Sequence, residues 1–318
     1  MGLLCVGVFL WLLLEEIGSF FVLLQNILKF MKKHFLFAFA SVAMMAIFAA
    51  CGNDIESEFY PDGGEEETQY EIKLTSEITP SRVTDLEFHD AQIAQGQQVG
   101  VTIAGAQSEH KNVVWSVGKN GDLTNTKSPV YWGEGKATIT AYHPYHADWT
   151  GTSHEFSVGT DQSAESGYAN SDLLWTTATD SVSKAAVKLN FSHLLAKINV
   201  TLSSDDIDDL GGVDISICGT RISTTFDPAT GTISDATGDV AEIKAGVSTK
   251  EACTASAIIV PQTIGKNTPF IKLTRGDKNY YYTLPVDVQF MSGCSYQYAL
   301  NVNDSNLESP VEGEEIEW

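Results

Sequence analysis

The fold class is decided by residues 187–202, which read VKLNFSHLLAKINVTL. Every second residue is apolar in the first half of this stretch, a series that His193 continues, and the alternation resumes at Leu194 in the opposite phase. A period of two buries one face of a β-strand and leaves the other face in water. Strands change phase at a bulge or where the chain crosses between sheets, so the stretch predicts one of these two features between His193 and Leu194.

The same alternation recurs on both sides of this stretch. It is clearest at Val99–Ile103, Tyr280–Phe290 and Tyr296–Val302, and clusters of Gly, Asn, Asp and Pro separate such runs. Little of the chain has a helical period, and 163–174 is loop-like or briefly helical. Pro285 has no backbone donor, so we expect it at an edge, a bulge or a tight bend. Many short strands at this spacing predict an all-β chain built of β-sandwiches.

A polar, irregular stretch that ends near Lys184 marks the predicted boundary between two domains. The chain of 318 residues is long enough for two domains of ordinary size. We expect an N-terminal β-sandwich domain at 69–184 and a C-terminal β-sandwich domain at 185–303, followed by an acidic tail at 304–318.

Residues 31–50 have the three parts of a secretory signal. Lys32 and Lys33 form a charged start, an uncharged apolar run follows, and the run ends in Ala-Ala directly before Cys51. The segment is too short and wrongly flanked for a resident transmembrane helix. Its end resembles a lipobox, which predicts cleavage after Ala50 and acylation of Cys51. Cleavage by an ordinary signal peptidase at the same small residues is the alternative.

The segments on either side of this signal differ in composition: the one before it is mainly apolar, and the one after it is acidic. Glu15 and Glu16 interrupt an apolar segment upstream of Met31. We therefore expect translation to start at Met31 and treat 1–30 as an upstream extension that arises from a gene-start error; a genuine membrane span is the alternative. Residues 51–68 are rich in Asp and Glu, a composition that favours a solvated acidic linker.

The formal net charge of −22 narrows the classes of partner. Nucleic acid binding and attachment to anionic lipid both need clustered Lys and Arg, so we expect neither. The body of the chain contains Cys218, Cys253 and Cys294 without C-x-x-C spacing, which allows at most one disulfide and makes a zinc or redox site a weak hypothesis. P-loop and G-x-G-x-x-G motifs are absent from the sequence, and we expect no cofactor.

One group of residues has the composition of a metal site. His143, His146, Asp148 and His154 combine His-x-x-His with a nearby carboxylate, a set that could ligate zinc from a loop. Exposed histidines at a strand end and its turn are the simpler interpretation, and we expect no metal.

Aromatic and catalytic candidates are weaker. Trp115, Trp132, Trp149 and Trp175 could form a platform for stacking sugars if they lay in one plane. Of these, Trp115 and Trp132 lie in strand-like runs and are expected in the core, whereas Trp149 lies beside turn residues and could be exposed. His193 shares the phase of apolar neighbours, so we expect it to face inward and be hydrogen-bonded. Without a G-x-S-x-G elbow, we expect no enzyme.

Four segments, in order along the chain, resemble the fimbrillin-like (Mfa-like) proteins of Bacteroidales. The opening stretch supplies an aromatic-x-His-x-x-small-basic core at Phe191, His193, Ala196 and Lys197. The other three segments read GKATITAYHPY (135–145), IIVPQ (258–262) and SGCSYQY (292–298). Acidic residues soon after Cys51 also resemble the surface-export signal of Bacteroidetes lipoproteins. The chain departs from the family where Gly96-Gln97 replaces the usual Gly-Asp, and its C-terminal tail is short and acidic.

The resemblance implies two tandem transthyretin-like β-sandwich domains and a lipoprotein precursor of a type V fimbria or a close relative. In that family a trypsin-like protease removes an N-terminal strand after export. The open groove then accepts an extended strand from the next subunit, with backbone hydrogen bonds and alternate side chains supplying the contact. A head-to-tail contact of this kind builds a filament.

The resemblance also places two processing elements on this chain. Arg82 resembles the family's cleavage region by position, since it follows the first strand-like segment, Tyr70–Thr75. An ordinary exposed arginine in a loop is the alternative, and the residues leave both interpretations open. The candidate for the exchanged strand is Asn301–Trp318, above all Val311–Trp318. A frayed tail is the alternative there, because its glutamates would resist dry burial.

These expectations combine into one function. We expect a structural or accessory subunit of a cell-surface fimbria that supports adhesion and is located at the outer membrane or in the fimbrium. Its expected partners are other fimbrial subunits, outer-membrane lipid through acylated Cys51, and a host or bacterial surface ligand. The alternative is a surface carbohydrate-binding lipoprotein, which would need an exposed row of aromatic side chains.

Overall fold

The computed structural model describes residues 69–78, 92–125, 127–205, 207, 209–247 and 253–302, together with the backbone of 307–308 and 314–317. Strands dominate this part of the chain. These residues form strands and a single short helix, which confirms the predicted all-β class. The helix, α1 (Glu165–Ser171), lies in the stretch expected to be loop-like or briefly helical. The strands, in chain order, are β1 (Leu74–Ile78), β2 (Gln98–Ala104), β3 (His110–Val117), β4 (Asp122–Asn125), β5 (Lys136–His143), β6 (His154–Ser157), β7 (Leu174–Ser181), β8 (Val187–His193), β9 (Ala196–Ser203), β10 (Asp214–Asp227), β11 (Thr232–Ile233), β12 (Thr237–Val247), β13 (Thr254–Ile259), β14 (Gln262–Ile264), β15 (Pro269–Arg275), β16 (Lys278–Thr283), β17 (Val288–Phe290), β18 (Cys294–Val302), β19 (Leu307–Glu308) and β20 (Glu314–Glu317).

The first sheet closes on itself as a barrel in the strand order β1-β4-β3-β2-β5-β7-β8. β1 and β8 are parallel, and the other neighbours are antiparallel. Alternate side chains fill the interior, where Val99, Ile139 and Phe191 are completely buried. The period of two at Val99–Ile103 therefore corresponds to a strand with an inward face, as predicted.

A second core is built mainly from the second half of the chain and is covered by three further sheets. A six-stranded sheet is centred on β10, which pairs with β6, β11, β12 and β15, and β16 pairs with β15. A five-stranded sheet has the order β13-β9-β18-β19, with β20 also paired to β18, and β14 pairs with β17. β9 and β18 are parallel. Ile198, Phe226, Phe270 and Leu300 are completely buried in this core.

The chain crosses from the first core to the second between β8 and β9. β8 ends at His193 in the barrel, and β9 begins at Ala196 in the five-stranded sheet. The connection is fixed by the Leu194 N–H, which donates to the Leu173 carbonyl at 2.9 Å, and by Leu195, which is completely buried. The change of phase in the sequence therefore marks a crossing between sheets.

An earlier excursion also connects the two cores. Between β5 and β7, which both lie in the barrel, β6 pairs with β10 of the six-stranded sheet, and Phe156 and Tyr168 pack in the second core. The Gln162 side-chain amide pairs there with the backbone of Ile258, as a neighbouring strand would. It donates a hydrogen bond to the Ile258 carbonyl at 2.8 Å and accepts one from the Ile258 N–H at 2.7 Å. Residues 154–172, inside the stretch expected to form the first domain, thus contribute to the second core.

The expectation that each alternating run has a wet face is wrong for β9. Lys197 and Asn199, which alternate with apolar residues, are only 2% and 3% exposed. The Asn199 amide accepts from the Ser256 hydroxyl at 2.6 Å and donates to the Ser295 hydroxyl at 2.7 Å, so both neighbouring strands satisfy it. The Lys197 ammonium lies 5.9 Å from the Tyr168 ring centre. Where both faces of a strand are covered, an alternating sequence does not predict which of its residues are exposed.

The run Tyr280–Phe290 is not one strand, although its alternation is unbroken. β16 ends at Thr283 and β17 begins at Val288, with Pro285 between them. Val286, in phase with the buried residues, is 58% exposed. The missing N–H of Pro285 interrupts the ladder, and the chain bends there. The expectation for Pro285 is confirmed, and the expectation of a continuous strand is wrong.

Candidate functional site

Strand β1 lies between β4 and β8 and joins them in the barrel. Leu74, Ser76 and Ile78 point inward and are 2%, 2% and 3% exposed. Glu77 lies on the outer face, where its carboxylate forms an ion pair with Lys188 of β8. The alternation of the sequence thus places one face of β1 in the barrel core and the other in solvent.

The residues directly before β1 extend the same contact. The Ile72 N–H donates to the Val130 carbonyl at 2.7 Å, and the Trp132 N–H donates to the Tyr70 carbonyl at 2.9 Å. Ile72 is itself 2% exposed. Burial of one aliphatic side chain of this size contributes about 1.5–3 kcal/mol. Loss of 70–78 would therefore uncover several core contacts as well as the facing edges of β4 and β8.

Arg82, the predicted cleavage residue, lies outside the described residues. The described residues that flank its segment are Ile78, at the end of β1, and Gln92, and both line one small cavity. The chain therefore leaves and re-enters the described structure at one place, next to the end of β1.

The two other arginines of the chain lie in paired strands. The Arg221 N–H in β10 donates to the Gln262 side chain at 2.9 Å. Arg275 ends β15 opposite Lys278 in a tight turn, and its guanidinium donates to the Asp209 carbonyl at 3.3 Å. Proteases cleave preferentially at exposed, unpaired loop segments. Both arginines therefore lie in hydrogen-bonded strands, and neither belongs to an unpaired segment.

The C-terminal strands lie on an edge. β19 pairs with Asn301 and Val302 at the end of β18, and β20 pairs with Cys294–Gln297 at its start. β18 has β9 on its other side. Part of the segment predicted to be exchanged is thus a strand in this structure, and its side chains lie outside the described residues.

A buried polar cluster lies where β8 ends. His193 is 3% exposed, and its Nδ1 lies 2.9 Å from Oδ1 of Asp172. This confirms the prediction of an inward-facing, hydrogen-bonded histidine. The Nδ1 of His143 lies 3.2 Å from the Asp172 carbonyl oxygen. Burial lowers the pKa of His143, although the nearby Asp172 opposes that shift. The sequence does not predict that Asp172 is the partner of His193, because no motif links the two residues, which are 21 positions apart.

The structure separates the four residues of the zinc hypothesis. His143 is buried in the polar cluster, whereas the His146 and His154 rings stack against Trp149 at centroid distances of 4.2 Å and 5.5 Å. Burial lowers the pKa of His146, and Asp148 opposes that shift. Among the described residues, no three His, Cys, Asp or Glu side chains are arranged to hold a metal ion.

The four tryptophans form no exposed row. Trp115, Trp132 and Trp149 are buried, and Trp175 is half-buried. The expectation of an exposed Trp149 is wrong, since its loop folds back on the second core. The centre of its indole ring lies 5.2 Å from the ring centre of Tyr142 and 5.5 Å from that of Phe226. The described tryptophans therefore offer no platform for stacking sugars.

The predicted lipidation residue Cys51 and the predicted cleavage residue Ala50 also lie outside the described residues. Over the ranges that the structure describes, no helix has the length and apolar character needed to span a membrane. No disulfide joins Cys218, Cys253 and Cys294, which all lie in those ranges. Burial raises the pKa of the Cys218 thiol to about 11.

Comparison with known proteins connects the fold to a family. The fimbrillin-like family matches residues 81–318, a region that begins one residue before Arg82. No curated protein matches the chain. A solved structure of a candidate cell adhesion protein from Bacteroides ovatus has a TM-score of 0.66 at 18% identity, covering 79% of this chain and 98% of its own. Another candidate cell adhesion protein, from Bacteroides uniformis, has a TM-score of 0.58 at 19% identity, with coverages of 78% and 98%. The chain shares its fold with these structures and, from its match over 81–318, belongs to the fimbrillin-like family, as the sequence segments predict.

Proposed function

We propose that this chain is a structural or accessory subunit of a cell-surface fimbria and that it assembles by exchange of strand β1. In the described part of the chain, β1 is the strand that joins β4 to β8, and its last residue, Ile78, precedes Arg82 closely in the sequence. Membership of the fimbrillin-like family gives this arrangement its context.

Cleavage after Arg82 would convert β1 from a covalent part of the barrel into a bound peptide. Its departure would leave unpaired backbone groups on β4 and β8 and apolar pockets at the positions of Leu74 and Ile78. An extended strand from the next subunit could then supply both the hydrogen bonds and the side chains. Because donor and acceptor surfaces differ, each subunit would retain one of each and a filament would grow.

Export as a lipoprotein fits the order of the processing sites along the chain. The signal at 31–50 would direct export, and cleavage after Ala50 would leave Cys51 to be acylated. Several buried acyl chains, at about 0.8 kcal/mol per methylene, anchor a protein firmly to the outer membrane. Because Cys51 precedes Arg82, the cut that frees the groove would also release the subunit from its anchor. The acidic linker at 51–68 would hold the precursor away from the membrane until then.

We also propose that the two cores are tandem transthyretin-like β-sandwiches, the architecture expected for the family. Two separate hydrophobic cores support this assignment. The first core is enclosed by the closed sheet, whose opposite sides would be the two layers of its sandwich, and the second core has three sheets of its own. The function is structural: the partners are neighbouring subunits, lipid through Cys51 before processing, and a surface ligand during adhesion. The proposal includes no catalytic reaction.

Arginine substitutions test this function in cells that assemble the protein. We expect Arg82→Gln to keep the N-terminal strand, to remain attached to the outer membrane and to yield no filaments. Arg275→Gln is the matched control, since Arg275 lies in a paired turn, and it should assemble like the unaltered chain. Normal filaments from Arg82→Gln would contradict the proposal.

A further inference from the structure

A groove that the proposed assembly does not use is lined by strands from two sheets of the second core. Tyr282 of β16 and Tyr296 and Tyr298 of β18 form its floor, and residues 284–289 and 291 form its rim. β16 is the last strand of the six-stranded sheet, and β18 belongs to the five-stranded sheet. The groove has a volume of about 430 Å³, which is typical of pockets that hold small molecules.

Two of the tyrosines on the floor have hydroxyls without a partner. Tyr282 and Tyr298 are 6% and 4% exposed, and their ring centres lie 5.6 Å apart. Neither hydroxyl is hydrogen-bonded to a residue of the described structure. Burial raises the pKa of both phenols, so each hydroxyl keeps its proton and can donate as well as accept. Because buried polar groups are nearly always hydrogen-bonded, the two hydroxyls point to a partner that enters the groove from outside.

The third tyrosine fixes the rim of the groove. The Tyr296 hydroxyl donates to the Gln289 carbonyl at 3.1 Å and accepts the Met291 N–H at 2.8 Å. The Asp287 side chain is fixed as well, since its Oδ1 accepts the Lys266 N–H at 2.6 Å. A wall that is already in place loses little conformational freedom when a ligand binds. The groove is therefore preformed.

The rim carries exposed apolar side chains above the polar floor. Val286 is 58% exposed and Met291 is 42% exposed, and Pro285 lies between the floor strand β16 and Val286 in the sequence. Apolar side chains that remain exposed around a pocket mark a surface that a ligand covers. The groove therefore fits a ligand with hydrogen-bonding groups on one side and an apolar group on the other.

The backbone of the rim does not favour an extended peptide as that ligand. Such a peptide binds mainly by adding a strand to a free edge. The Leu284 N–H donates to the Thr268 carbonyl at 3.1 Å, and the Leu284 carbonyl accepts the Asn267 N–H at 2.8 Å. Pro285 has no N–H to donate. The groove thus offers side-chain hydroxyls rather than a backbone ladder.

The charge of the lining narrows the class of ligand further. Asp287 is the one charged residue in the lining, which contains no Lys or Arg. An anionic ligand would therefore lose water without gaining a cationic partner. Sugar hydroxyls both donate and accept, as the two phenols do, and the Asp287 carboxylate can accept from them. A neutral sugar meets these requirements, and a methyl group on it would cover the apolar rim.

We propose that this groove binds a neutral sugar with a methyl-bearing substituent, that is, a 6-deoxyhexose or an N-acetylhexosamine. The Tyr282 and Tyr298 hydroxyls bind hydroxyls of the sugar, and the methyl group contacts Val286 and Met291. The role of the site in adhesion rests on the proposed function, for which it names the surface ligand, whereas binding itself requires no strand exchange. All residues of the groove follow Arg82 in the sequence, so cleavage there leaves the site in place.

Saturation-transfer NMR with the full chain tests binding directly. The probes are methyl α-L-fucoside and the methyl glycoside of N-acetylglucosamine, each at millimolar concentration. Their matched controls are methyl α-L-galactoside and methyl glucoside, which lack the methyl-bearing substituent. We expect at least one probe to bind about fourfold more tightly than its control, the effect of one buried methyl group. Absence of binding by both probes, or equal binding of each probe and its control, would overturn the inference.

Removal of single hydroxyls tests the floor of the groove. Tyr282→Phe and Tyr298→Phe should each weaken binding of the sugar by about 2- to 10-fold, because each removes one hydrogen bond. Tyr281→Phe is the matched control, since Tyr281 lies on the opposite face of β16 and is 50% exposed. If all three variants bind the sugar equally, the site lies elsewhere and the inference fails.

Thermal unfolding without sugar tests whether the hydroxyls lack a partner within the chain. Tyr298→Phe should leave Tm unchanged or raise it, because its hydroxyl forms no bond that can be lost. Tyr296→Phe should lower Tm, since it breaks the bonds to Gln289 and Met291. An equal loss from both variants would show that the Tyr298 hydroxyl is already paired, and the basis of the inference would be gone.

Two further outcomes separate the inference from its alternatives. A synthetic peptide of residues 303–318 that binds the chain, with a loss of affinity in Tyr298→Phe, would assign the groove to a segment of the protein and overturn the sugar site. Filaments that form normally from chains that bind neither probe would overturn the inference alone. Sugar binding by a chain that is neither cut at Arg82 nor assembled would support the site and reject the proposed strand exchange.

Discussion

The two ends of the described structure are strands held in opposite ways. β1 is enclosed between β4 and β8, with Leu74 and Ile78 almost completely buried beneath it. Among the described strands, β20 pairs with β18 alone, at the edge of the five-stranded sheet. An enclosed strand contributes side-chain burial as well as backbone hydrogen bonds, whereas an edge strand depends mainly on one ladder. Removal of the first opens a core, and removal of the second uncovers an edge.

The largest effect is expected inside the enclosed strand. Leu74→Ala should reduce the free energy of unfolding by about 2–5 kcal/mol, because it deletes a buried aliphatic side chain and leaves a cavity. Urea denaturation of the full chain measures this loss. Lys73→Ala, one residue away on the exposed face, should change stability by no more than about 0.5 kcal/mol. Equal effects of the two substitutions would show that β1 does not contribute to the core.

A smaller effect is expected at the polar cluster beside the end of β1. Asp172→Ala removes the carboxylate 2.9 Å from His193 and should cost about 1–3 kcal/mol, the penalty for a buried polar group that loses a partner. The matched control is Asp148→Ala, since Asp148 is exposed. Urea denaturation compares the two. If they are equally stable, the cluster does not hold β8 in place.

Deletion of 307–318 should change stability even less. Ladder hydrogen bonds contribute about 0.5–1.5 kcal/mol each, and ordering each residue costs about 1–2 kcal/mol, so the two terms nearly cancel at an edge. We expect a change within about 1 kcal/mol, measured by the same urea denaturation. A loss as large as that of Leu74→Ala would remove the contrast between the two ends.

The smallest effect concerns the pH dependence of stability. The pKa of His143 is lowered by burial, so the folded chain binds this proton less readily than the unfolded chain, whose value is about 6.5. The corresponding stability is complete above about pH 6.5 and is lost as pH falls towards the folded pKa. Thermal unfolding of His143→Gln between pH 7.5 and 5.5 should therefore show a flatter dependence than the unaltered chain. An identical slope would contradict the burial of a neutral ring.

The sequence predicts strands well where one face is wet. The phase change between His193 and Leu194 predicts a bulge or a crossing between sheets, and the structure has the crossing. Pro285 predicts an edge, a bulge or a bend, and the structure has the bend. The inward position of His193 follows from the phase that it shares with its apolar neighbours. Family membership is also readable, since its segments occur in order along the chain.

Contacts between distant segments are not readable in this way. The burial of Lys197 depends on the helix that carries Tyr168, and the burial of Trp149 depends on Phe226 in another sheet. Asp172 becomes the partner of His193 only when β7 and β8 pair. The buried Ser76 hydroxyl has its acceptor in the Gly121 carbonyl, which belongs to a distant segment of the sequence. Each of these follows from tertiary packing, which overrides a local pattern.

Whether β1 is a removable strand can be read from the intact mass and N-terminal sequence of the mature protein. Both are measured on outer-membrane and sheared filament fractions. We expect an acylated form that begins at Cys51 in the membrane and a form that begins at Val83 in filaments. Filaments built only from chains that begin at acylated Cys51 would contradict it.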